Sequence, residues 1–259
     1  MAKRPVLRVV QMTDLHLLSD PAARFKGEDT RSRFLQALAL TKRLAPDLLI
    51  LTGDLAQDEA QDTYLWLYQQ LQNSGIQWFW LPGNHDRPEL MQLFAPPVFY
   101  HQTPHWQLLG LNTRLPGRPE GELSETELQR LQQALVCNKP LLLAMHHHPL
   151  QVKSRWMDAI ALQNTDALWQ LVDKNTVLKL LLCGHVHQPL SRWHQGVQVL
   201  ASPATALQFT PLQNEFSINN KALPAIRLVR LLPGGVFSSR LLYFNPQHFT
   251  HREGGQACG

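Results

Sequence analysis

The sequence predicts an α/β fold, and three observations lead there. Short apolar, strand-like runs alternate with segments of helical spacing from Leu7 to Leu182. Several runs, such as Asp47-Leu48-Leu49-Ile50-Leu51, are apolar on both faces, as a strand must be in a sheet covered on both sides. Five polar motifs each follow directly on such a run: Asp14-Leu15-His16, Gly53-Asp54, Gly83-Asn84-His85-Asp86, His146-His147-His148-Pro149 and Gly184-His185-Val186-His187. Motifs that end strands gather at the carboxyl edge of a sheet, where open α/β folds bind their ligands.

In order, Leu7 to Met12 is a strand, and Thr30 to Leu44 has helical spacing through Phe34, Leu38 and Leu44. Asp47 to Leu51 is the second strand, Gln61 to Leu71 the second helix and Gln77 to Leu81 the third strand. A short helix is expected from Pro88, then strands near Val98 to His101 and Trp106 to Leu111. Ser124-Glu125-Thr126-Glu127 opens a further helix as a capping box, with Ser at the cap and Glu three residues on. Leu141 to Met145 and Leu178 to Leu182 are buried strands on either side of a helix around Asp166 to Val172. After Gly196 only strands are expected: Val197 to Leu200, Ile226 to Leu232 and Val236 to Phe244, the last two joined by a turn at Pro233-Gly234-Gly235. Nothing reads as a repeat or linker, so residues 1–245 are expected to form one domain and the polar residues 246–259 a flexible tail.

The composition is that of an ordinary soluble enzyme. A chain of 259 residues, 44% apolar, can bury one sizeable core. It contains no apolar run of about 18 residues, so no membrane span is expected. A strand follows Met1-Ala2-Lys3-Arg4-Pro5 directly, without the apolar region of a secretory signal. Three cysteines (Cys137, Cys183 and Cys258) without CxxC spacing suit neither a disulfide framework nor a zinc-thiolate site, and a cytoplasmic location is expected. The net charge of +4 comes without a basic run, so nucleic acid is not an expected partner; a small anionic substrate is.

The five motifs pool carboxylate oxygens, an amide oxygen and imidazole nitrogens, a mixture suited to divalent Fe, Mn or Zn. Asp54 can bridge two cations, Asp14 and His16 can point toward one of them, Asn84 offers a neutral oxygen, and His185 and His187 can serve one ion each. Such a pair activates water and clamps a phosphoryl group, which points to hydrolysis of phosphate esters. Singly, each motif has an ordinary structural reading: Asp is a common helix cap and Gly-Asn a common turn. Their joint occurrence in order has none.

This motif set resembles that of the calcineurin-like metallophosphoesterase superfamily. The wider strings TDLHL, TGDLAQD, WLPGNHD, GELSE, HHHPL, SRWMD and LLCGHVHQ are similar to those of bacterial class III cyclic nucleotide phosphodiesterases, which hydrolyse 3',5'-cyclic AMP. The resemblance covers roughly residues 7 to 245 and implies a four-layer αββα sandwich, with a dinuclear metal site at the carboxyl ends of the strands. It implies one ion on Asp14, His16, Asp54 and His187, and a second on Asp54, Asn84, His185 and a histidine of the triplet. The superfamily's ligand-x-Pro spacing favours His147; His146 stays open, because a one-residue shift at a strand end reverses side-chain direction. The implied cofactors are two divalent ions, Fe2+ or Mn2+ foremost and Zn2+ admitted.

The implied reaction is attack on phosphorus by a metal-bridging hydroxide, with release of the ribose 3'-oxygen to give 5'-AMP and so lower intracellular cyclic AMP. His85 would be the catalytic group beside the phosphate, with substrate held among His16, Asp54, Asn84, His85 and His187. Asp58 or Asp86 would orient an imidazole. Trp156 is a candidate to stack on adenine, and Ser154 to Asp158 with Gln208-Phe209 are candidate pocket residues, loop packing being their other reading. The alternative function is a broader phosphodiesterase of the same fold, acting on glycerophosphodiesters or 2',3'-cyclic nucleotides. A scaffold without catalysis would not need His85. Exposed strands near the C-terminus make a homodimer contact possible.

Overall fold

A computed structural model describes residues 6–173 and 175–246. The expected tail from residue 247 on, with His248, His251 and Cys258, lies outside the described residues. Strands β1 (Leu7–Met12), β2 (Leu48–Thr52) and β3 (Trp78–Leu81) run parallel. With antiparallel β10 (Ala225–Leu231) and β11 (Phe237–Tyr243) they form one sheet, in the order β11-β10-β1-β2-β3. The second sheet contains β4 (Phe99–Gln102), β5 (Gln107–Gly110), β6 (Leu141–Ala144), β7 (Leu178–Cys183), β8 (Leu190–His194) and β9 (Val197–Ala201). Its order is β4-β5-β6-β7-β9-β8, with parallel pairing from β5 to β9 and antiparallel edges.

Side-chain alternation along the strands builds the layers. Val9, Leu48 and Ile50 of the first sheet meet Leu108, Leu142, Leu180 and Leu182 of the second in an inter-sheet core. The opposite face of the first sheet, with Val10, Met12, Leu49 and Leu51, packs on Phe34 and Leu38 of α1 (Thr30–Leu44) and on Tyr64 and Leu67 of α2 (Gln61–Gln72). The outer face of the second, with Leu109, Leu141, Leu143 and Leu181, packs on Leu131 and Leu135 of α4 (Glu125–Val136) and on Leu168 and Trp169 of α6 (Thr165–Val172). The result is the four-layer αββα sandwich. Among the described residues no helix is long and apolar enough to cross a membrane.

Most elements match the sequence expectation to within a residue at either end. At α4 the Ser124 hydroxyl accepts from the Glu127 backbone N–H at 3.3 Å, while the Glu127 carboxylate goes to Asn112 N and Arg130. Beyond the short α3 (Pro88–Met91) that Pro88 announces, two elements were not expected: the single turn α5 (Arg155–Asp158) and the edge strand β8, whose side chains are mostly exposed. Register positions the site. Met12 pairs with Leu51, Thr52 with Leu81 and Ala144 with Leu182, so the loops carrying Asp14, Asp54, Asn84, His146 and His185 leave the sheets side by side.

Candidate metal centre

Asp14, His16, Asp54, His185 and His187 all have left-handed backbones, with φ between 44° and 68°. That conformation costs a residue with a side chain about 1–3 kcal/mol, and strain of this kind collects at functional sites. Backbone bonds hold it in place: Asp14 N donates to Gly53 O at 3.0 Å, His16 N to Asp54 O at 2.9 Å and Ala206 N to Asp14 O at 3.1 Å. In each i, i+2 pair the middle residue, Leu15 or Val186, is fully buried, so the polar neighbours share the other side. Two glycines permit the close approach. A Cβ on Gly83 would collide with the Asp54 carboxylate, and one on Gly184 with the Thr13 hydroxyl and the Asp14 carboxylate.

Ligand-type atoms of Asp14, His16, Asp54 and His187 lie within 4.8 Å of one another, as do those of His146, His147 and His185. Asp54 joins the two groups, its Oδ2 lying 3.7 Å from His16 Nε2 and 3.5 Å from His146 Nε2. His146 Nε2 also faces Asn84 Oδ1 at 3.1 Å and His185 Nδ1 at 3.2 Å. His147, favoured by the ligand-x-Pro spacing, is engaged elsewhere: Nε2 donates to Pro119 O at 3.1 Å and Nδ1 meets the Thr113 hydroxyl at 2.7 Å. The histidine that faces Asp54 and Asn84 is therefore His146.

The tautomers show what the donor set would hold. A carbonyl oxygen only accepts, so His146 Nδ1 donates to Thr52 O at 2.8 Å and His187 Nδ1 to Leu207 O at 2.7 Å. His16 Nδ1 pairs with Gln57 Oε1 at 2.8 Å. In neutral rings each Nε2 is then a bare lone pair, and those of His16 and His187 face each other at 3.2 Å, with Asp14 Oδ1 3.2 Å from His187 Nε2. Such an arrangement is repulsive unless a cation lies among the lone pairs. His185 Nε2 is buried without a partner. Burial opposes charge on Asp14, yet His187 and His146 hold it below the usual carboxylate range; it opposes charge on Asp54 too, which His146, His85 and His16 hold well below. Burial depresses His16 to about 4 and pushes His185 well below the ordinary histidine value. His146 moves the other way: against burial, Asp54 and Asp14 lift it to about 9. The donor set is built for cations, and two fit it.

The centre floors a cavity of about 340 Å³ that His16, Asp54, Asn84, His85 and His187 line together. A family model described as calcineurin-like phosphoesterase matches residues 7–189, a span holding all five motifs and most of the chain. The chain belongs to the calcineurin-like phosphoesterase family. Among family members it is 35% identical over 244 residues to a 3',5'-cyclic-nucleotide phosphodiesterase of Nostoc sp., covering 91% of each chain. It is 31% identical over 247 residues to the 3',5'-cyclic adenosine monophosphate phosphodiesterase CpdA of Vibrio vulnificus, covering 91% of this chain and 89% of that one. A dimetal phosphatase from Danio rerio shares the fold, with a TM-score of 0.65 at 13% identity over 93% of this chain and 100% of that one.

Two expectations for supporting residues of the calcineurin-like centre need correcting. Among the described residues Asp86 hydrogen-bonds no imidazole; its carboxylate accepts from the backbone N–H groups of Gly83, Leu55 and Ala56 and from the Tyr64 hydroxyl. It thus fastens the Asp54 loop to the Asn84 loop. Asp58 accepts from Ser19 N, Ala60 N and the Thr63 hydroxyl. A polar residue in the TGDLAQD string does what they were expected to do: Gln57 pairs with His16 and places its Nε2 3.4 Å from His85 Nδ1. A lone Gln in a loop carries no spacing signal, so only the folded chain reveals it.

Proposed function

We propose that this chain hydrolyses 3',5'-cyclic AMP to 5'-AMP with two divalent ions at the centre. Asp14, His16, Asp54 and His187 would hold one, and Asp54, Asn84, His146 and His185 the other. The observation that carries this reading is Asp54 Oδ2, set between the Nε2 atoms of His16 and His146. When bound, the ions supply Lewis acidity toward water and toward the phosphoryl oxygens. The mixed nitrogen and oxygen donors suit Fe2+, Mn2+ or Zn2+.

The chain's own groups supply positioning and protons. Thr52 O and Leu207 O fix the rings of His146 and His187 by accepting their Nδ1 protons. His85 has its backbone N–H on Asp54 Oδ1 at 2.9 Å and its ring in the cavity, where it gives a proton to the leaving ribose 3'-oxygen. Relatives at 31–35% identity with cyclic-nucleotide phosphodiesterase names support the substrate class. Cys137 and Cys183, both free thiols, suit the reducing cytoplasm.

The test is direct. Metal-stripped protein should be inert, and Mn2+ or Fe2+ should restore conversion of cyclic AMP to 5'-AMP. Turnover of glycerophosphodiesters without turnover of cyclic AMP would defeat the reading.

A further inference from the structure

One wall of the cavity is aromatic and has no task in the chemistry derived above. Trp156 of α5 meets Phe209 edge to face at 5.1 Å and Phe216 at 5.3 Å, and Phe209 meets Phe216 at 5.3 Å. Met157, Ile160 and Leu207 complete the wall. Phe209 is also stacked on His187, with ring centroids 4.0 Å apart and planes 10° from parallel, so the wall begins at the edge of the metal centre. Phe216 is 52% exposed although it points at this cavity. It is held there by a short hairpin in which Phe209 bridges to Ile218, and Thr210 N donates to Ser217 O at 2.8 Å. A large ring kept half in solvent over a cavity gains little for folding, whereas a planar ligand would cover it.

We propose that Trp156, Phe209 and Phe216 form a stacking wall for the nucleobase of a cyclic nucleotide, one that grips the base without reading its edge. The proposal rests on the reading of the centre as a cyclic-nucleotide site. The only polar side-chain atom on the wall, Trp156 Nε1, is buried, so no side chain there offers an exposed donor or acceptor to a base edge. Stacking on rings is tolerant because every base has a π-face. Adenine and guanine nucleotides should therefore be accepted alike.

The experiment compares kcat/KM for cyclic AMP, cyclic GMP and a base-free diester, glycerophosphoethanolamine, in the Mn2+-loaded protein and in Trp156→Ala and Phe216→Ala. Adenosine quenching of tryptophan fluorescence is measured in the metal-free protein and in Trp156→Phe. Cyclic AMP and cyclic GMP should have efficiencies within about tenfold of each other. In both alanine variants, the ratio of cyclic nucleotide to base-free diester should fall roughly 10- to 100-fold, mostly through KM, as loss of one stacking ring implies. Adenosine should quench the unsubstituted protein, and Trp156→Phe should lose that quench. An unchanged ratio, or strong selectivity between the two purines, would overturn the proposal. If cyclic AMP is not turned over while the base-free diester is, the functional reading fails, and the adenosine quench alone decides whether the wall binds a base.

Discussion

The side-chain amide of Gln11, in β1, donates to the carbonyl oxygen of Cys183, at the end of β7 in the other sheet, at 2.9 Å. The same nitrogen donates to the Thr52 hydroxyl at 2.9 Å, and the amide oxygen accepts from Ser202 at 2.6 Å. Ser202 accepts in turn from Arg227 Nε, whose other nitrogens reach Ala201 O and the Ser239 hydroxyl. A buried network satisfied in this way specifies one arrangement of the layers around it. It lies under the metal centre: Thr52 O orients His146, and Cys183 is two residues from His185.

The centre is split between the sheets, and that makes Gln11 testable. Asp14, His16, Asp54 and Asn84 follow strands of the first sheet, and His146, His185 and His187 strands of the second. The proposed second ion takes two ligands from each sheet, the first ion three from one and one from the other. A slip between sheets should therefore damage the second more. Gln11→Leu should cost about 1–3 kcal/mol of stability through unsatisfied buried groups. Calorimetry with Mn2+ should show one of the two binding steps losing about tenfold in affinity, near 1.4 kcal/mol, and the other less. Equal losses at both steps would contradict the argument.

The histidine triplet gives a second prediction. His146→Ala removes the nitrogen that faces Asn84 and Asp54, whereas His147→Ala removes only the contacts to Thr113 and Pro119. Elemental analysis should find about two Mn2+ per chain in His147→Ala and about one in His146→Ala, as a two-metal site that has lost one ligand requires. His147→Ala should pay only in stability, about 1–3 kcal/mol. The opposite pattern would return the ligand role to His147.

These two histidines also mark where sequence reading stops. The motifs were legible because each combines ligand chemistry with an apolar run before it, as in Leu48 to Asp54, and that combination fixes both element and edge. The choice between His146 and His147 depends on backbone phase after β6, which ends at Ala144, and no residue type sets that phase. β8 escaped because Ser191, Arg192 and Trp193 are exposed on an edge, leaving no apolar alternation to see. Gln57 and Gln11 act through partners dozens of positions away or more, as Gln57 does with His16 and Gln11 with Cys183, and composition carries no trace of that.

A third prediction concerns pH in the metal-free protein. His16, His147 and His185 are depressed by burial, His16 to about 4, so the stability they contribute is present above the ordinary value of 6.5 and lost as pH falls below it. His146 is raised to about 9, so its contribution is full below 6.5 and lost as pH rises through 9. Asp86, lifted by burial and by Asp54 to about 6, opposes the histidines between 4 and 6, as Glu127, raised by burial, does on the same side. But burial depresses His148 with the other histidines, and Asp14 and Asp54, held low by their imidazole neighbours, also lose stability as pH falls. Thermal melts in chelator should therefore peak near pH 6.5 and decline on both sides. Added Mn2+ should abolish the alkaline decline, because an ion takes the place of the proton at His146. A flat alkaline limb in chelator would show that His146 is not held charged.

The last prediction separates proton donation from metal binding. Gln57 Oε1 accepts from His16 Nδ1, which turns Gln57 Nε2 toward His85 Nδ1 at 3.4 Å and orients the His85 ring that lies in the cavity. A group so arranged matters most when the departing oxygen is a poor leaving group. His85→Ala should slow cyclic AMP, which expels a ribose alkoxide, by about 10²- to 10⁴-fold. It should slow bis(4-nitrophenyl) phosphate far less, because a nitrophenolate departs without a proton. Bound Mn2+ should be unchanged. Gln57→Leu should reproduce a smaller part of the same leaving-group dependence, since it removes only the partner that orients the ring. Equal losses on the two substrates would instead assign His85 to charge stabilisation, because an interaction with the phosphoryl oxygens is blind to which oxygen leaves.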